Sequence, residues 1–286
     1  MRPLLRLLAG LPLPLTHALG AGLGRLALLL RPRLAQDMAA NLAQAGLDSA
    51  ALRRRAAAEL GKGVLELLPI WLRPLDKSLK LVREVRGWQH VEAAVARGRG
   101  VVLLCPHLGS QELAGLYFAP RFSVTALYRR PRQDWFHALM LAGRQRGRLT
   151  TVEPGKRGVR AMLQALKRNE FVFILPDQAA SRGDGAWLPF FGRPAYMPLL
   201  PYRLLESTGA TPLLVYAERL AFGRGFRLHI EPLTDLPRAP VEAAGAVNRR
   251  IEAAIRRHPA QYLWNYRIYR YRPDLMPPPP NATEAA

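Results

Sequence analysis

The sequence predicts a single α/β domain with a largely parallel central sheet flanked by helices. Short apolar runs alternate with segments of helical period from residue 101 to residue 257. Strand–helix alternation of this kind is typical of a largely parallel sheet. The chain has 286 residues, of which 49% are hydrophobic, and this is enough to build a core and to exclude a disordered protein.

The N-terminal segment, residues 1–32, is strongly apolar and precedes this domain. Its interruptions are Arg6, Pro12, Pro14, His17 and Arg25. Because a spanning helix needs about 20 consecutive apolar residues, we expect an in-plane or shallow membrane helix that is broken at the prolines. The arginines that follow the segment argue against an exported signal peptide. The alternative is an apolar helix that packs on the domain.

The domain itself is predicted to span residues 33–275. Helices are expected at 33–72 with a turn near 46–48, and at 90–96, 111–118, 134–146, 158–167, 199–207 and 241–257. Strands are expected just before Gly87 and at 101–105, 123–128, 150–152, 171–175, 211–216 and 226–230. A long loop rich in glycine and proline is expected up to residue 198, and the tail at 276–286 is expected to be disordered.

The charge is strongly basic, with a formal net charge of +21 and a pI near 11.3. So basic a chain prefers an anionic partner, which could be nucleic acid, an anionic membrane surface or an acidic protein. The arginines occur in small clusters among apolar residues, and there is no compact nucleic-acid-binding module. The pattern therefore favours a membrane-facing surface and no nucleic acid, although a GC-rich genome would also enrich arginine.

A candidate catalytic histidine follows the apolar strand at 101–105. Pro106 ends the strand, His107 comes next, and Glu112 lies five residues later, in the first turn of the next helix. Catalytic groups of α/β proteins gather beyond the carboxyl ends of the strands. Glu112 could turn back and hold one ring nitrogen of His107, leaving the other to accept a proton. The start of this helix also offers backbone N–H groups to an oxyanion.

The chain offers no obvious nucleophile of its own, because no serine or cysteine lies in a nucleophile-elbow context. A base at His107 would therefore activate a hydroxyl that the substrate brings. The only cysteine, Cys105, lies in the apolar strand and is expected to be a buried, inert thiol. The alternative for His107 is a buried strand-end histidine that the backbone satisfies.

A second polar group follows the strand at 171–175. It consists of Asp177 and Gln178, and a glycine-rich loop with Phe190 and Phe191 comes after it. Two phenylalanines beside a glycine suit an apolar channel or a membrane contact. The alternative is a structural turn whose phenylalanines lie in the core.

Two basic stretches complete the candidates. Arg129 follows the strand at 123–128, and Arg144 and Arg146 follow on the next helix, where they could bind a phosphate or another acidic group. The alternative is solvated arginine. The aromatic–basic stretch at 261–270 could lie at a membrane interface or form a last strand of the sheet. No group of residues has metal-ligand spacing, so no metal is expected.

Taken together, these residues resemble the late acyltransferases of lipid A biosynthesis, of the lauroyl/myristoyl type, over residues 11–273. The matching blocks are the His-x4-acid motif at His107 and Glu112, the strand end Tyr128-Arg129, Pro176-Asp177-Gln178 with Pro189-Phe190-Phe191-Gly192, and the closing block from His258 to Trp264. The first motif is shared by glycerolipid acyltransferases and therefore indicates the reaction. The later blocks indicate the family.

The resemblance implies a glycerolipid-acyltransferase-like fold. It also implies transfer of a fatty acyl group from acyl carrier protein to a hydroxyl of a glycolipid, a lipid A precursor, at the cytoplasmic face of the cell inner membrane. His107 would deprotonate the hydroxyl, Glu112 would orient His107, and no cofactor is implied. The matching substrate-binding positions are Arg129, Arg144, Asp177, Gln178 and Arg267. The basic charge agrees, because acyl carrier protein is acidic and the inner leaflet is anionic.

The chain departs from the family pattern at three places. Ala179 and Ala180 occupy a region where the family often has a second acid, Tyr266 replaces a histidine of the closing block, and Arg130 doubles the arginine at the strand end. These departures bear on the acceptor more than on acyl transfer. The alternatives are the same chemistry on another glycolipid or glycerolipid, coenzyme A as the donor, or a non-catalytic basic peripheral membrane protein.

Overall fold

The computed structural model describes residues 2–269 of the chain. Its α-helices are α1 (Arg2–Gly10), α2 (Leu13–Leu30), α3 (Pro32–Gln44), α4 (Ala50–Leu65), α5 (Leu67–Leu72), α6 (Leu75–Leu79), α7 (Trp88–Ala96), α8 (Gln111–Phe118), α9 (Asp134–Arg144), α10 (Lys156–Lys167), α11 (Leu200–Thr208) and α12 (Pro240–Arg257). Its strands are β1 (Val82–Arg86), β2 (Val101–Leu104), β3 (Val124–Leu127), β4 (Leu149–Val152), β5 (Phe171–Ile174), β6 (Gly185–Phe190), β7 (Arg193–Pro198), β8 (Thr211–Arg219) and β9 (Phe226–Pro232).

The central sheet has seven strands in the order β1-β9-β8-β2-β5-β3-β4. Strands β8, β2, β5, β3 and β4 run parallel to one another, whereas β9 pairs antiparallel with β8 and β1 pairs parallel with β9. The predicted fold class, an α/β domain with a largely parallel sheet, is therefore confirmed. Strand β2 lies in the middle, so the loop that follows it opens at the centre of the carboxyl edge.

The strand β2 divides its side chains between two cores. Val102 and Leu104 belong to the core that contains residues of α10, α11 and α12. Val101 and Leu103 belong to the opposite core, which contains residues of α7, α8 and α9. All four side chains are at most 1% exposed. This alternation explains why the strand reads as a continuous apolar run, because helices cover both faces of the sheet.

The N-terminal segment forms two helices, and the predicted break near the prolines lies between Gly10 and Leu13. Helix α2 packs along α4 at a very short distance: a Cβ added to Gly24 would lie 1.9 Å from the carbonyl oxygen of Ala57, and one added to Gly61 would lie 1.9 Å from that of Gly20. Small residues are therefore needed where the two helix backbones meet.

The opposite face of α2 is apolar and exposed. Its exposed leucines are Leu15, Leu19, Leu23, Leu26, Leu29 and Leu30, with exposed fractions from 45% to 78%. By length and composition α2 could cross a membrane, and 33% of it is buried within the protein. One face thus packs on the domain, as the alternative prediction required, while the other leaves an apolar surface uncovered.

The turn predicted near 46–48 is observed between α3 and α4, but other local predictions were wrong: a further break at Glu66, which was not predicted, separates α4 from α5. The predicted loop up to residue 198 contains the antiparallel hairpin β6–β7. Phe190 and Phe191 lie in the core, with exposures of 1% and 6%, and do not form an exposed channel. The closing stretch adds no strand to the sheet within residues 2–269; Tyr262 makes one antiparallel bridge with Leu108. Its last residue, Arg270, and the tail predicted to be disordered at 276–286 lie outside the described residues.

Candidate active site

The loop between β2 and α8 presents His107, and contacts on both sides hold this loop in place. The Ser110 N–H donates to the carbonyl of Ala217 on β8 at 2.8 Å, and the Gly109 N–H donates to Gln261 at 3.0 Å. Gly109 has φ +67°, and a Cβ there would lie 2.0 Å from the Ala217 oxygen, so the approach to β8 requires glycine. The Leu263 N–H donates to the carbonyl of His107 itself at 3.1 Å.

His107 is held by Asp177, which follows the neighbouring strand β5. The two strands pair in register with Leu104 opposite Ile174, so His107 and Asp177 each lie three residues beyond a paired position. His107 Nδ1 lies 2.8 Å from Asp177 Oδ1, and the His107 backbone N–H donates to Oδ2 at 2.8 Å. The Asp177 side chain is fully buried, whereas that of His107 keeps 14% of its surface exposed.

The second ring nitrogen of His107 contacts Gln178. The Gln178 amide Nε2 lies 3.0 Å from His107 Nε2, where it can donate a hydrogen bond. With Asp177 accepting at Nδ1, the neutral ring carries its proton on Nδ1 and leaves Nε2 as an acceptor. The arrangement fits a general base whose accepting nitrogen is Nε2.

Two tyrosines face the buried carboxylate of Asp177. Burial and the negative charge of Asp177 raise the pKa of Tyr262 well above its usual value, and the same two causes raise the pKa of Tyr202. Both phenols therefore stay protonated at neutral pH, and Tyr262 hydrogen-bonds Asp177. Burial, Asp177 and Glu112 also raise the pKa of the Cys105 thiol, which agrees with an inert cysteine.

Glu112 does not hold His107, contrary to the prediction. Its carboxylate accepts hydrogen bonds from Trp71 Nε1 at 3.0 Å and from Arg144 Nε at 2.8 Å, and Arg144 Nη2 makes a second contact. Glu112 lies in the first turn of α8, and its side chain there meets α5 and α9, which provide Trp71 and Arg144. Asp177, which was predicted to bind the head group, occupies the orienting position instead.

The ion pair keeps Glu112 charged although it is buried. Burial by itself would raise its pKa, but the Arg144 charge and the hydrogen bonds from Arg144 and Trp71 outweigh burial, so the pKa lies below its usual value. His107 adds a smaller contribution in the same direction, which places the Glu112 charge within electrostatic reach of the imidazole.

A cavity of about 260 Å³ opens at His107. Its polar wall includes Glu112, Arg144 and Ser110, and its apolar wall includes Val64, Leu67, Trp71, Phe136 and Met140. Val64 is 58% exposed, and Trp135, which packs edge-on against Phe136, is 53% exposed. The cavity therefore combines an apolar wall with a base and an ion pair, and exposed apolar residues lie at its margin.

The remaining predicted substrate-binding residues lie apart from this cavity. Arg129 is exposed beyond the end of β3, which is two strands from β2. Arg267 pairs with Asp37 of α3 at 3.1 Å and is 61% exposed. Neither residue lines the cavity around His107. Arg146, a candidate phosphate ligand, donates instead to the carbonyls of Gly143, Arg73 and Ile70.

A buried network behind the loop was not predicted. Arg219 Nη2 donates to the carbonyl of Gly109 at 2.9 Å, its Nε donates to Glu66 at 2.7 Å, and Glu66 contacts His17 Nε2 of α2 at 3.1 Å. Burial would raise the pKa of Glu66, but Arg219 and His17 outweigh it and lower that pKa to about 2. In the sequence, the feature that could have indicated this network is His17, a polar residue within an apolar segment.

Two imidazoles and one carboxylate also meet away from His107. Glu218, His229 and His258 each offer one ligand atom, and these atoms lie within 4.8 Å of one another. Such a set is of the type that zinc prefers. Glu218 contacts His229 Nε2 at 2.9 Å and also accepts from Arg227 at 3.1 Å, so an arginine shares the carboxylate. Sequence spacing did not reveal this group.

The chain was compared with known proteins. The profile of the bacterial lipid A biosynthesis acyltransferases matches residues 3–270. A lipid A biosynthesis lauroyltransferase of Escherichia coli (strain K12) is 28% identical over 282 residues, covering 95% of this chain and 90% of that protein. A palmitoleoyltransferase of lipid A biosynthesis from the same strain is 30% identical over 275 residues, covering 92% and 87%.

A more distant similarity is to another glycolipid enzyme. A phosphatidylinositol mannoside acyltransferase of Mycobacterium tuberculosis is 28% identical over 198 residues, covering 64% of this chain and 58% of that protein. The profile match spans nearly the whole described chain and includes both His107 and Asp177. This protein therefore belongs to the bacterial lipid A biosynthesis acyltransferase family and is an acyltransferase.

Proposed function

We propose that this protein transfers a fatty acyl chain from an acyl carrier protein thioester to a hydroxyl of a lipid A precursor, with His107 as the general base. The reaction takes place at the cytoplasmic face of the inner membrane. The observation that supports this most directly is the geometry of His107: a buried carboxylate holds Nδ1, and the residue lines a cavity with an apolar wall.

The proposed step uses His107 twice. Nε2 removes the proton of the acceptor hydroxyl as its oxygen attacks the thioester carbonyl. The tetrahedral intermediate then collapses, the carbon–sulfur bond breaks, and the imidazolium returns the proton to the leaving thiolate. The products are an ester and a free thiol.

Asp177 supports this step by stabilising the imidazolium that forms. Its Oδ1 accepts from Nδ1, and its Oδ2 accepts from the His107 backbone, so the ring has one orientation. Glu112 adds a second negative charge within electrostatic reach of the ring, and Arg144 and Trp71 hold that charge in place.

The acceptor hydroxyl has to replace Gln178 at His107 Nε2. Gln178 Nε2 lies 3.0 Å from this nitrogen, at the position where the attacking hydroxyl must donate its proton. The backbone N–H groups of the first turn of α8, directly after the His107 loop, have no partner within the helix and suit the oxyanion. The apolar wall of Leu67, Trp71, Phe136 and Met140 suits an acyl chain.

The membrane location is supported by the exposed leucine face of α2 and by the net charge of +21. An apolar surface beside a strongly basic protein fits an anionic bilayer, and a basic surface also suits an acidic carrier protein. Val64 and Trp135 are exposed near the cavity, so a lipid acceptor could approach His107 from that surface.

A second acceptor class is favoured by one contact. Ala179 and Tyr266 lie where the chain departs from the lipid A pattern, and the Ala179 N–H donates to the Tyr266 hydroxyl at 3.1 Å. The two departures are thus coupled, directly after the residue that contacts His107. Together with the similarity to a phosphatidylinositol mannoside acyltransferase, this contact favours another glycolipid as the second candidate acceptor.

The test is a transfer assay with mass spectrometry. Purified protein is incubated with a mixed pool of acyl carrier protein thioesters and a tetra-acylated lipid A precursor, with the His107→Ala variant as control. We expect a mass gain of one acyl chain that the variant does not produce. An equal gain with His107→Ala would contradict the general base. A gain only with phosphatidylinositol mannoside, assayed in parallel, would contradict the lipid A acceptor.

A further inference from the structure

The tip of the β8–β9 hairpin exposes a phenylalanine. Phe222 lies between the two strands and is 87% exposed, although the residues on either side of the tip enter the core with β8 and β9. An aromatic ring of this size in water contributes nothing to folding stability. A single exposed apolar side chain is common on protein surfaces, so the surroundings of Phe222 decide whether it marks a contact outside the chain.

The backbone at the tip is unfavourable for this side chain. Phe222 has φ 59° and ψ 25°, which is the left-handed region, and it is followed by Gly223 with φ +67°. A residue with a Cβ adopts this conformation at a cost, whereas glycine adopts it freely. Folding alone would thus favour glycine at position 222, yet the chain holds an aromatic ring there.

The tip lies against the start of α2. A Cβ added to Gly223 would come within 2.4 Å of Pro14 Cα, so the backbones of the tip and of α2 are in direct contact. Leu15 and Leu19 are exposed on α2, at 45% and 47%. The exposed ring of Phe222 is therefore carried by an element that packs against the helix with the exposed leucines.

Arginines accompany the exposed ring. Arg224 and Arg83 are both exposed, and Arg83 Nε donates to the carbonyl of Arg224 at 3.3 Å, which fixes one guanidinium beside the tip. An aromatic ring next to arginines is typical of a membrane interface, where the ring enters the acyl region and the cations meet lipid phosphates. Anionic lipids complement this charge.

We propose that the β8–β9 tip is a second membrane contact and that Phe222 inserts into an anionic bilayer beside α2. The proposal rests on the membrane association in the proposed function and specifies how the domain is oriented on the bilayer. One helix alone leaves the domain free to rotate about the helix axis. A second contact fixes that rotation.

The tip is connected to the catalytic loop through Arg219. Arg219 lies three residues before Phe222, at the end of β8, and donates to Gly109, two residues after His107. The tip therefore sets the position of the β2–α8 loop relative to the bilayer surface. The partner that fits is the lipid surface itself, since one projecting ring forms no groove for a peptide.

The experiment places an environment-sensitive fluorophore at the tip. The only native cysteine, Cys105, is 0% exposed and its pKa is raised by burial, so it will not react. The full chain carrying Phe222→Cys is labelled with a nitrobenzoxadiazole dye and mixed with vesicles of phosphatidylethanolamine and phosphatidylglycerol. The matched control is Val241→Cys on α12, where the side chain is 45% exposed.

We expect the label at position 222 to shift its emission to the blue and to be quenched by brominated acyl chains, while the label at position 241 stays in water. A label at position 222 that stays in water on vesicle-bound protein would overturn the proposal and leave the proposed function intact. Failure of the unsubstituted chain to bind vesicles at all would overturn both. Equal shifts at the two positions would also overturn the proposal, because the contact would not be local.

Discussion

Two histidines of this protein are each held by a buried carboxylate, and their surroundings differ. His107 contacts Asp177 at 2.8 Å, keeps 14% of its side chain exposed and opens on a cavity. His17 contacts Glu66 at 3.1 Å, keeps 4% exposed, and shares its carboxylate with Arg219. A histidine–carboxylate contact therefore does not by itself indicate catalysis.

The two pairs differ in the groups that share the negative charge of the carboxylate with the histidine. In the His17 pair, the Glu66 carboxylate is shared with the buried Arg219, which also contacts Glu59 at 3.6 Å, so Glu66 belongs to a closed ionic network. In the His107 pair, Asp177 contacts His107 and the phenol of Tyr262, and Tyr262 and Tyr202 both stay neutral, so the charge of Asp177 remains available to an imidazolium. The first arrangement binds a helix to the domain, and the second prepares a base.

The largest expected effect separates the two histidines. His107→Ala should lower kcat by about 10²- to 10⁴-fold, the usual contribution of a general base, with little change in Tm. His17→Leu should keep kcat within a few-fold and lower the free energy of unfolding by about 1–3 kcal/mol. Steady-state transfer rates and thermal unfolding measure the two. A catalytic loss in both variants would remove the distinction.

The next effect separates the two carboxylates near His107. Asp177→Asn should lower kcat by roughly 10² or more, because an amide cannot stabilise the imidazolium in the same way. Glu112→Gln should cost less activity, since its carboxylate contacts Arg144 and Trp71. Parallel pH–rate profiles of the two variants provide the measurement. The reverse order of losses would return the orienting role to Glu112.

Removing the carboxylate of the buried Arg219–Glu66–His17 network should lower the free energy of unfolding. Glu66→Gln removes the carboxylate that contacts both Arg219 and His17 and leaves Arg219 only the more distant Glu59, at 3.6 Å. Removal of one partner of a buried pair costs about 3–5 kcal/mol. The matched control is Glu170→Gln in the surface pair with Arg168 at 2.8 Å, where the cost should stay below about 1 kcal/mol. Urea unfolding compares them. Equal losses would mean that the network is not a stability element.

The smallest effect is a pH dependence. The folded pKa of Glu66, about 2, lies below its usual value of 4.5, so its contribution is complete above pH 4.5 and is lost as the pH falls toward 2. The loss should amount to roughly 3 kcal/mol over this window. Unfolding free energies from pH 6 down to 2 should fall more steeply than in Glu66→Gln. Parallel curves would contradict the assignment.

Much of the fold was predictable because it rests on local patterns. Helix α8 begins and ends at the predicted residues 111–118, and the strand predicted at 101–105 is observed as Val101–Leu104. The hairpin β6–β7 was missed because its strands hold three prolines and a glycine, which read as a loop. Strands β6 and β7 become neighbours only once the chain has turned between Phe190 and Arg193.

The candidate site was predicted only in part, for a related reason. His107, Asp177, Gln178, Glu112 and Arg144 were all candidates, but the pairing of His107 with Glu112 was wrong, because His107 contacts Asp177. Glu112 is five residues from His107 in sequence, whereas Asp177 is 70 residues away. Glu112 was predicted because it is close to His107 in sequence, but the folded chain brings Asp177 to the imidazole.

By itself the sequence determined the α/β class, the apolar N-terminal helix and the position of a histidine and an aspartate at two strand ends, because hydrophobic period and proline breaks are local properties. Only the tertiary structure decided that β2 and β5 are neighbours and that Leu104 pairs with Ile174, which brings His107 and Asp177 to 2.8 Å. Strand order and register depend on how both faces of the sheet are covered. The helices α5 and α9 likewise direct Glu112 toward Trp71 and Arg144, because a buried carboxylate requires a cation and hydrogen-bond donors wherever the packing provides them.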